Sequence, residues 1–202
     1  MTPTFPAAEW ATALSYAAYR DLSRRLLAEG TTTNGQHTPL ILELTTPALA
    51  RMQALEQEPP LWPALLRAAA ALPAQRWLMF SESWCGDAAE SLPLWARLAD
   101  HAPQLELRVL LRDQHPALMD HYLTNGGRSI PKLVAWDATT GRELGTWGPR
   151  PAPVQAFVDE YKAQHPQAPL PEFVAAVLAW YRTDDTAALQ AELLATLQAW
   201  TN

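Results

Sequence analysis

The chain has one cysteine, Cys85, in 202 residues. No internal disulfide can form, and no group of thiolates is present to hold zinc or an iron–sulfur centre. The five histidines, His37, His101, His115, His121 and His165, are scattered without an i, i+4 pair, so no metal site is expected. Positive charge is also scarce: 15 Lys and Arg against 21 Asp and Glu leave a net charge of −6. A phosphate backbone needs a basic face, which argues against nucleic acid as a main partner. The longest apolar stretches, 60–73 and 173–181, are too short or too interrupted to cross a bilayer. Residues 1–6 lack the basic start and apolar core of a secretory signal, so the cytoplasm is the expected compartment. There is no Ser–His–Asp set, phosphate loop or pair of catalytic carboxylates. Gly126-Gly127 alone is too little for a nucleotide site.

With 49% hydrophobic and 18% charged residues, the chain can bury a core and reads as one domain with extensions. The first third looks helical. Trp10, Leu14, Ala17, Ala18 and Leu22 repeat near the helical period over 7–29, and Gly30 stops that run. A loop follows over 31–37, and 40–44 fits strand or helix equally. Pro47 suits the first turn of a helix carrying Leu49, Met52 and Leu55. Pro59-Pro60 ends it, and a further helix runs over 61–72.

From residue 75 the pattern alternates: strand 75–81, helix 87–100, strand 105–111 and helix 116–124, the last ended by Asn125-Gly126-Gly127. Strands 132–136 and 143–147 are joined by so short a link that they form an antiparallel hairpin. Helix 151–162, a linker over 166–171 and helices 172–181 and 186–200 complete the chain, with Asp184-Asp185 as the expected cap of the last.

Cys85 sits between the 75–81 strand and the 87–100 helix, in Trp84-Cys85-Gly86-Asp87-Ala88. The first N–H groups of a helix favour an anion, and such a position lowers a thiol pKa towards the reactive thiolate. Trp84-Cys85-Gly86, Pro93 eight residues after the cysteine, and Ser129-Ile130-Pro131 before a strand together resemble the thioredoxin family. The resemblance extends through Arg51-Met52, Arg112-Asp113, the 123–131 loop and Trp147-Gly148-Pro149-Arg150-Pro151 to a bacterial group of thioredoxin-like proteins with helical extensions. It implies an α/β thioredoxin fold, a central mixed sheet flanked by helices, over 74–164. Helical extensions occupy 1–73 and 165–202 in one compact unit. It also implies that the Ile130–Pro131 bond is cis and faces Cys85.

Departures from the family pattern bound the chemistry. Thioredoxins resolve a mixed disulfide with a second cysteine three residues on, where this chain has Ala88. Their buried carboxylate six residues before the cysteine is replaced by Met79. The arrangement that remains is that of a monothiol: Cys85 attacks a mixed disulfide and an external thiol releases it. The resemblance thus implies no cofactor, with glutathione or another low-molecular-weight thiol as co-substrate. The expected partners are protein or small thiols and disulfides, and the expected state is monomer or homodimer.

Asp87 opposes thiolate formation, and Arg128 is the candidate counter-charge or an anchor for the Gly126-Gly127 turn. Backbone groups at Ile130 are candidates to hold a substrate strand. Arg112, Asp113 and Arg150 read as loop-bracing ion pairs or an anion site, and Trp84 as a contact surface or a lid. Trp136 and Trp147 read as packing, and His115 and His121 as surface or capping groups. Two other readings stay open: a binding module that uses the cleft between Trp84 and the Pro131 loop, and a substituted Ala88 that traps mixed disulfides.

Overall fold

A computed structural model describes residues 4–34 and 38–201 of the chain; His37 lies outside the described residues. Its centre is the strand β2 (Gln75–Ser81), whose residues are nearly all buried. Continuous burial on both faces is what an uninterrupted apolar strand requires. Alternation along the pleat then sends neighbours to opposite sides. Trp77 and Met79 enter a cluster with Leu92 and Trp95; Leu78 and Phe80 enter another with Trp10, Met119 and Trp136.

β2 runs parallel to β3 (Leu105–Leu111), with Gln75 opposite Leu105 and Ser81 opposite Leu111. On its other side it pairs antiparallel with β4 (Lys132–Asp137), which forms the expected hairpin with β5 (Glu143–Trp147). A two-residue strand, β1 (Leu14–Ser15), pairs antiparallel with the outer edge of β3. The five-stranded order is β1-β3-β2-β4-β5.

That edge strand corrects the expectation of a continuous 7–29 helix. The structure has α1 (Ala7–Thr12), β1, and α2 (Tyr16–Ala28). Ala13 is extended at ψ 142°, Leu14 pairs with Val109, and the Ser15 hydroxyl accepts the Ala18 amide to restart the helix. An unpaired sheet edge and a serine cap together outweigh a helical apolar period.

The ambiguity over 40–44 resolves as helix. α3 spans Pro39–Leu55, opened by Thr38, whose hydroxyl accepts the Ile41 amide. Pro39 therefore takes the first-turn position expected for Pro47, and Pro47 lies inside the helix. α4 follows at Pro63–Ala71.

α5 (Gly86–His101) carries Leu92, Trp95 and Leu98 to the sheet. After β3 come a 3₁₀ turn at Arg112–Gln114 and α6, which covers only Pro116–Met119 and not 116–124. The chain tightens there into i→i−3 bonds at His121 and Tyr122, which turns the Tyr122 ring into the core beside Phe80 and Trp136.

The C-terminal helices are α7 (Ala152–Gln164), α8 (Leu170–Asp184) and α9 (Ala187–Ala199). The Asp184 carboxylate accepts the Ala188 amide at the start of α9. Leu189, Leu193 and Leu197 of α9 join the cluster under the sheet. Trp200, just beyond α9, stacks on Trp95 at 5.9 Å, while Trp95 also meets Trp77 at 5.1 Å and Trp147 at 5.6 Å. Among the described residues no helix is long and apolar enough to cross a membrane.

Candidate functional site around Cys85

The polypeptide leaves β2 through Glu82-Ser83-Trp84 and enters α5 with Cys85 as its N-cap residue. The Cys85 side chain is 7% exposed. Its Sγ lies 3.4 Å from the Ile130 carbonyl oxygen, to which the thiol donates. The Ile130–Pro131 bond beside that carbonyl is cis. Ala88, at the position of the thioredoxins' second cysteine, is buried against the same cluster as Cys85.

Burial and the neighbouring Asp87 carboxylate push the Cys85 thiol up to about 12, while the Ala88 and Asp87 amides and Arg150 pull the other way. Desolvation of a would-be thiolate therefore outweighs the helix start here. Asp87 itself is held by two residues distant in sequence. Its Oδ2 accepts from Arg150 Nη2 at 2.5 Å and its Oδ1 from the Tyr181 hydroxyl at 2.9 Å. Tyr181 is pushed above its ordinary value by burial and by Asp87, which keeps the phenol protonated as a donor.

Arg128 is engaged elsewhere: it makes a two-pronged pair with Asp120 at 2.7 and 2.8 Å on the surface. The positive charge that acts on Cys85 comes from Arg150 instead. Arg112 pairs with Asp113, donates to the Arg128 carbonyl and lies 5.2 Å over the Trp84 ring. Trp84 is thus covered on one face by a cation.

Gly148 supports the loop opposite Cys85 from behind. A Cβ at Gly148 would fall 2.3 Å from the Pro131 carbonyl oxygen, and its φ of +108° is one that L side chains rarely adopt. Only glycine lets the two backbones approach so closely.

Two buried carboxylates near the site escaped the sequence reading. Glu82, fully buried, accepts from the Thr33 hydroxyl and from the Asp113 amide. Burial raises its pKa against those two bonds. Glu90, 2% exposed, pairs with Arg51 of α3 at 2.9 Å, and burial raises it against the Arg51 charge. The only signal for Glu82 was an acidic residue between an apolar strand and the cysteine loop. Met79, at the position of the family's carboxylate, is fully buried in the core.

Cys85 opens on a pocket of about 350 Å³. Trp84, Gly86, Asp87, Ser129 and Ile130 line it together with Cys85. One wall is α3, through Ile41, Leu44, Pro47 and Arg51; the other is α8, through Leu170, Val174, Leu178 and Arg182. A Cβ on Gly86 would stand 3.3 Å from Leu178 Cδ2, so α8 rests on the first turn of α5. Both walls lie outside the alternating strand–helix core, and neither was visible as part of a site in the sequence. Among the described residues no group of three or more His, Cys, Asp and Glu side chains could hold a metal ion.

A mixed sheet whose central strand leads to a helix capped by cysteine, facing a cis-prolyl loop, defines a thioredoxin-like α/β protein. The family model described as thioredoxin matches residues 37–162, and the chain belongs to that family. Two solved structures share the fold. One is a protein of unknown function from Pseudomonas aeruginosa, 18% identical, with a TM-score of 0.53 over 91% of this chain and 97% of that one. The other is an HIV epitope-scaffold, also 18% identical, with a TM-score of 0.53 over 91% of this chain and 98% of that one. No curated protein matches the sequence.

Proposed function

We propose that this protein is a bacterial, cytoplasmic, single-thiol member of the family that carries out thiol–disulfide exchange through Cys85. The observation that carries the reading is the position of Sγ, at the start of α5 and 3.4 Å from the Ile130 carbonyl. In the reaction, Cys85 Sγ loses its proton to solvent and attacks one sulfur of a mixed disulfide. A new Cys85 disulfide forms, and the other sulfur leaves as a thiolate and takes up a proton. An external thiol such as glutathione then attacks the Cys85 disulfide and regenerates the free thiol, its own sulfur becoming oxidised.

Backbone amides of Asp87 and Ala88 receive the developing negative charge, and Arg150 favours it. Asp87 and burial hold the resting sulfur protonated, which keeps it unreactive towards chance oxidants. Trp84, Gly86 and Ala88 shape the loop, and Ser129, Ile130 and Pro131 form the opposite wall.

Incubation with oxidised glutathione followed by intact-mass measurement tests this. A single adduct of glutathione on Cys85, reversed by added thiol and absent in Cys85→Ser, is expected; no adduct after prolonged incubation overturns it. A second reading, a non-catalytic binding module, is favoured by the thiol pushed up to about 12. Absence of the adduct would select it.

A further inference from the structure

We propose that the pocket beside Cys85 is a binding site for a small amphiphilic organic anion, a carboxylate head on an apolar body. This goes beyond thiol exchange and stands whether or not Cys85 reacts.

The charge on the pocket wall is opposite in sign to that of the chain. Four arginines line it, Arg51, Arg112, Arg150 and Arg182, against two carboxylates, Asp87 and Glu90, whereas the whole chain carries −6. Three of those arginines are matched by carboxylates, Arg112 by Asp113 behind the wall, and one positive charge is left over. The two carboxylates already have partners: Asp87 has Arg150 and Tyr181, and Glu90 has Arg51. Arg112 is paired with Asp113. Arg182, exposed on α8, makes no hydrogen bond or ion pair among the described residues, and its charge acts on Glu90 across the pocket. Arg51 and Arg182 thus bear on the same carboxylate from opposite walls, and one buried anion does not neutralise both.

The rest of the surface sets the body of the ligand. Ile41, Leu44 and Pro47 face Leu170, Val174 and Leu178 across the space, and an apolar chain or ring placed between them leaves water. The volume is within the range of small-molecule sites, which are concave and mostly apolar with a few polar groups that fix orientation. An inorganic anion would leave those walls wet, and a neutral apolar ligand would leave the arginine charge unmatched. The head therefore lies between Arg51 and Arg182, with the body directed along the walls towards Gly86 and Cys85.

Calorimetric titration of the full chain with octanoate, octylammonium and octanol at low ionic strength tests the site. Octanoate should saturate at one per chain and bind at least about tenfold more tightly than octylammonium. Its affinity should fall as salt is added, because salt screens the head group's attraction. Arg182→Glu should weaken octanoate about tenfold while leaving octanol unchanged, and Arg182→Gln provides the same comparison if the reversal does not fold. Val174→Trp should abolish all three by filling the space. Equal affinity for octanoate and octylammonium, failure of octanoate to saturate, or an Arg182 variant that binds octanoate as the parent does would each overturn the proposal.

Discussion

Arg150 and Asp87 meet at 2.5 Å, joining the segment after β5 to the first turn of α5, two residues from Cys85. The pair is shielded, with side chains 16% and 12% exposed, and it divides two opposing influences on one sulfur. Asp87 raises the thiol pKa and Arg150 lowers it.

Asp87→Asn removes the carboxylate and leaves Arg150 facing the sulfur. The thiol pKa should fall, and alkylation of Cys85 by iodoacetamide at pH 8 should quicken roughly tenfold, a shift of about one unit. An unchanged rate would mean that burial alone sets the reactivity.

The pH profile of the parent protein should be unusual in shape. With the thiol pushed up to about 12, the alkylation rate should climb about tenfold per pH unit from pH 8 to pH 11 without levelling. The linkage has a definite sign. The folded value lies above the unfolded one of ~8.5, so this group stabilises the fold fully below that pH and loses its contribution as pH rises towards 12. Thermal midpoints of the parent and Cys85→Ser should therefore converge between pH 8.5 and 11, whatever the tyrosines do in both.

Arg150→Ala should destabilise the protein by about 2 kcal/mol, because it leaves the Asp87 charge shielded with only the Tyr181 hydroxyl. Urea unfolding measures it. The double variant Arg150→Ala, Asp87→Asn should recover part of the loss, as expected when an unpaired charge is the cause.

Gly148→Ala should be worse than an ordinary surface change, costing more than about 2 kcal/mol. Its Cβ would stand 2.3 Å from the Pro131 carbonyl oxygen, and only backbone can yield. Since Ile130 accepts the Cys85 thiol, the same variant should also alter the alkylation rate, so both readouts should move together.

The core was legible because local signals agreed there. β2 and β3 have the bounds read from the sequence, 75–81 and 105–111: β2 centres on the apolar run 77–80, and β3 alternates Leu105, Leu107 and Val109 with Glu106 and Arg108 before Leu110 and Leu111. The break at Ala13 was not legible: Leu14 fits the helical period, and only the free edge of β3 makes it a strand. Pro47 misled for a related reason, since a proline can sit inside a helix when tertiary packing holds the helix on both sides of it. In the site, Cys85, Trp84 and the Ile130 loop were visible as motifs, whereas the partners of Asp87 were not. Arg150 and Tyr181 are 63 and 94 residues away in sequence, and no local pattern encodes a contact of that range. Arg128 was nearer in sequence to the prolyl loop, yet a well-placed Asp120 eight residues away captured it.

The indole cluster beneath the sheet gives the molecule an optical signature. Trp95 and Trp200 stack at 5.9 Å with their planes 22° apart, and Trp77 crosses Trp95 nearly edge-on at 5.1 Å. Rings fixed this closely contribute to near-ultraviolet circular dichroism only while the packing is rigid. Because Trp200 follows directly on α9, that band reports whether the last helix is seated, independently of anything that happens at Cys85.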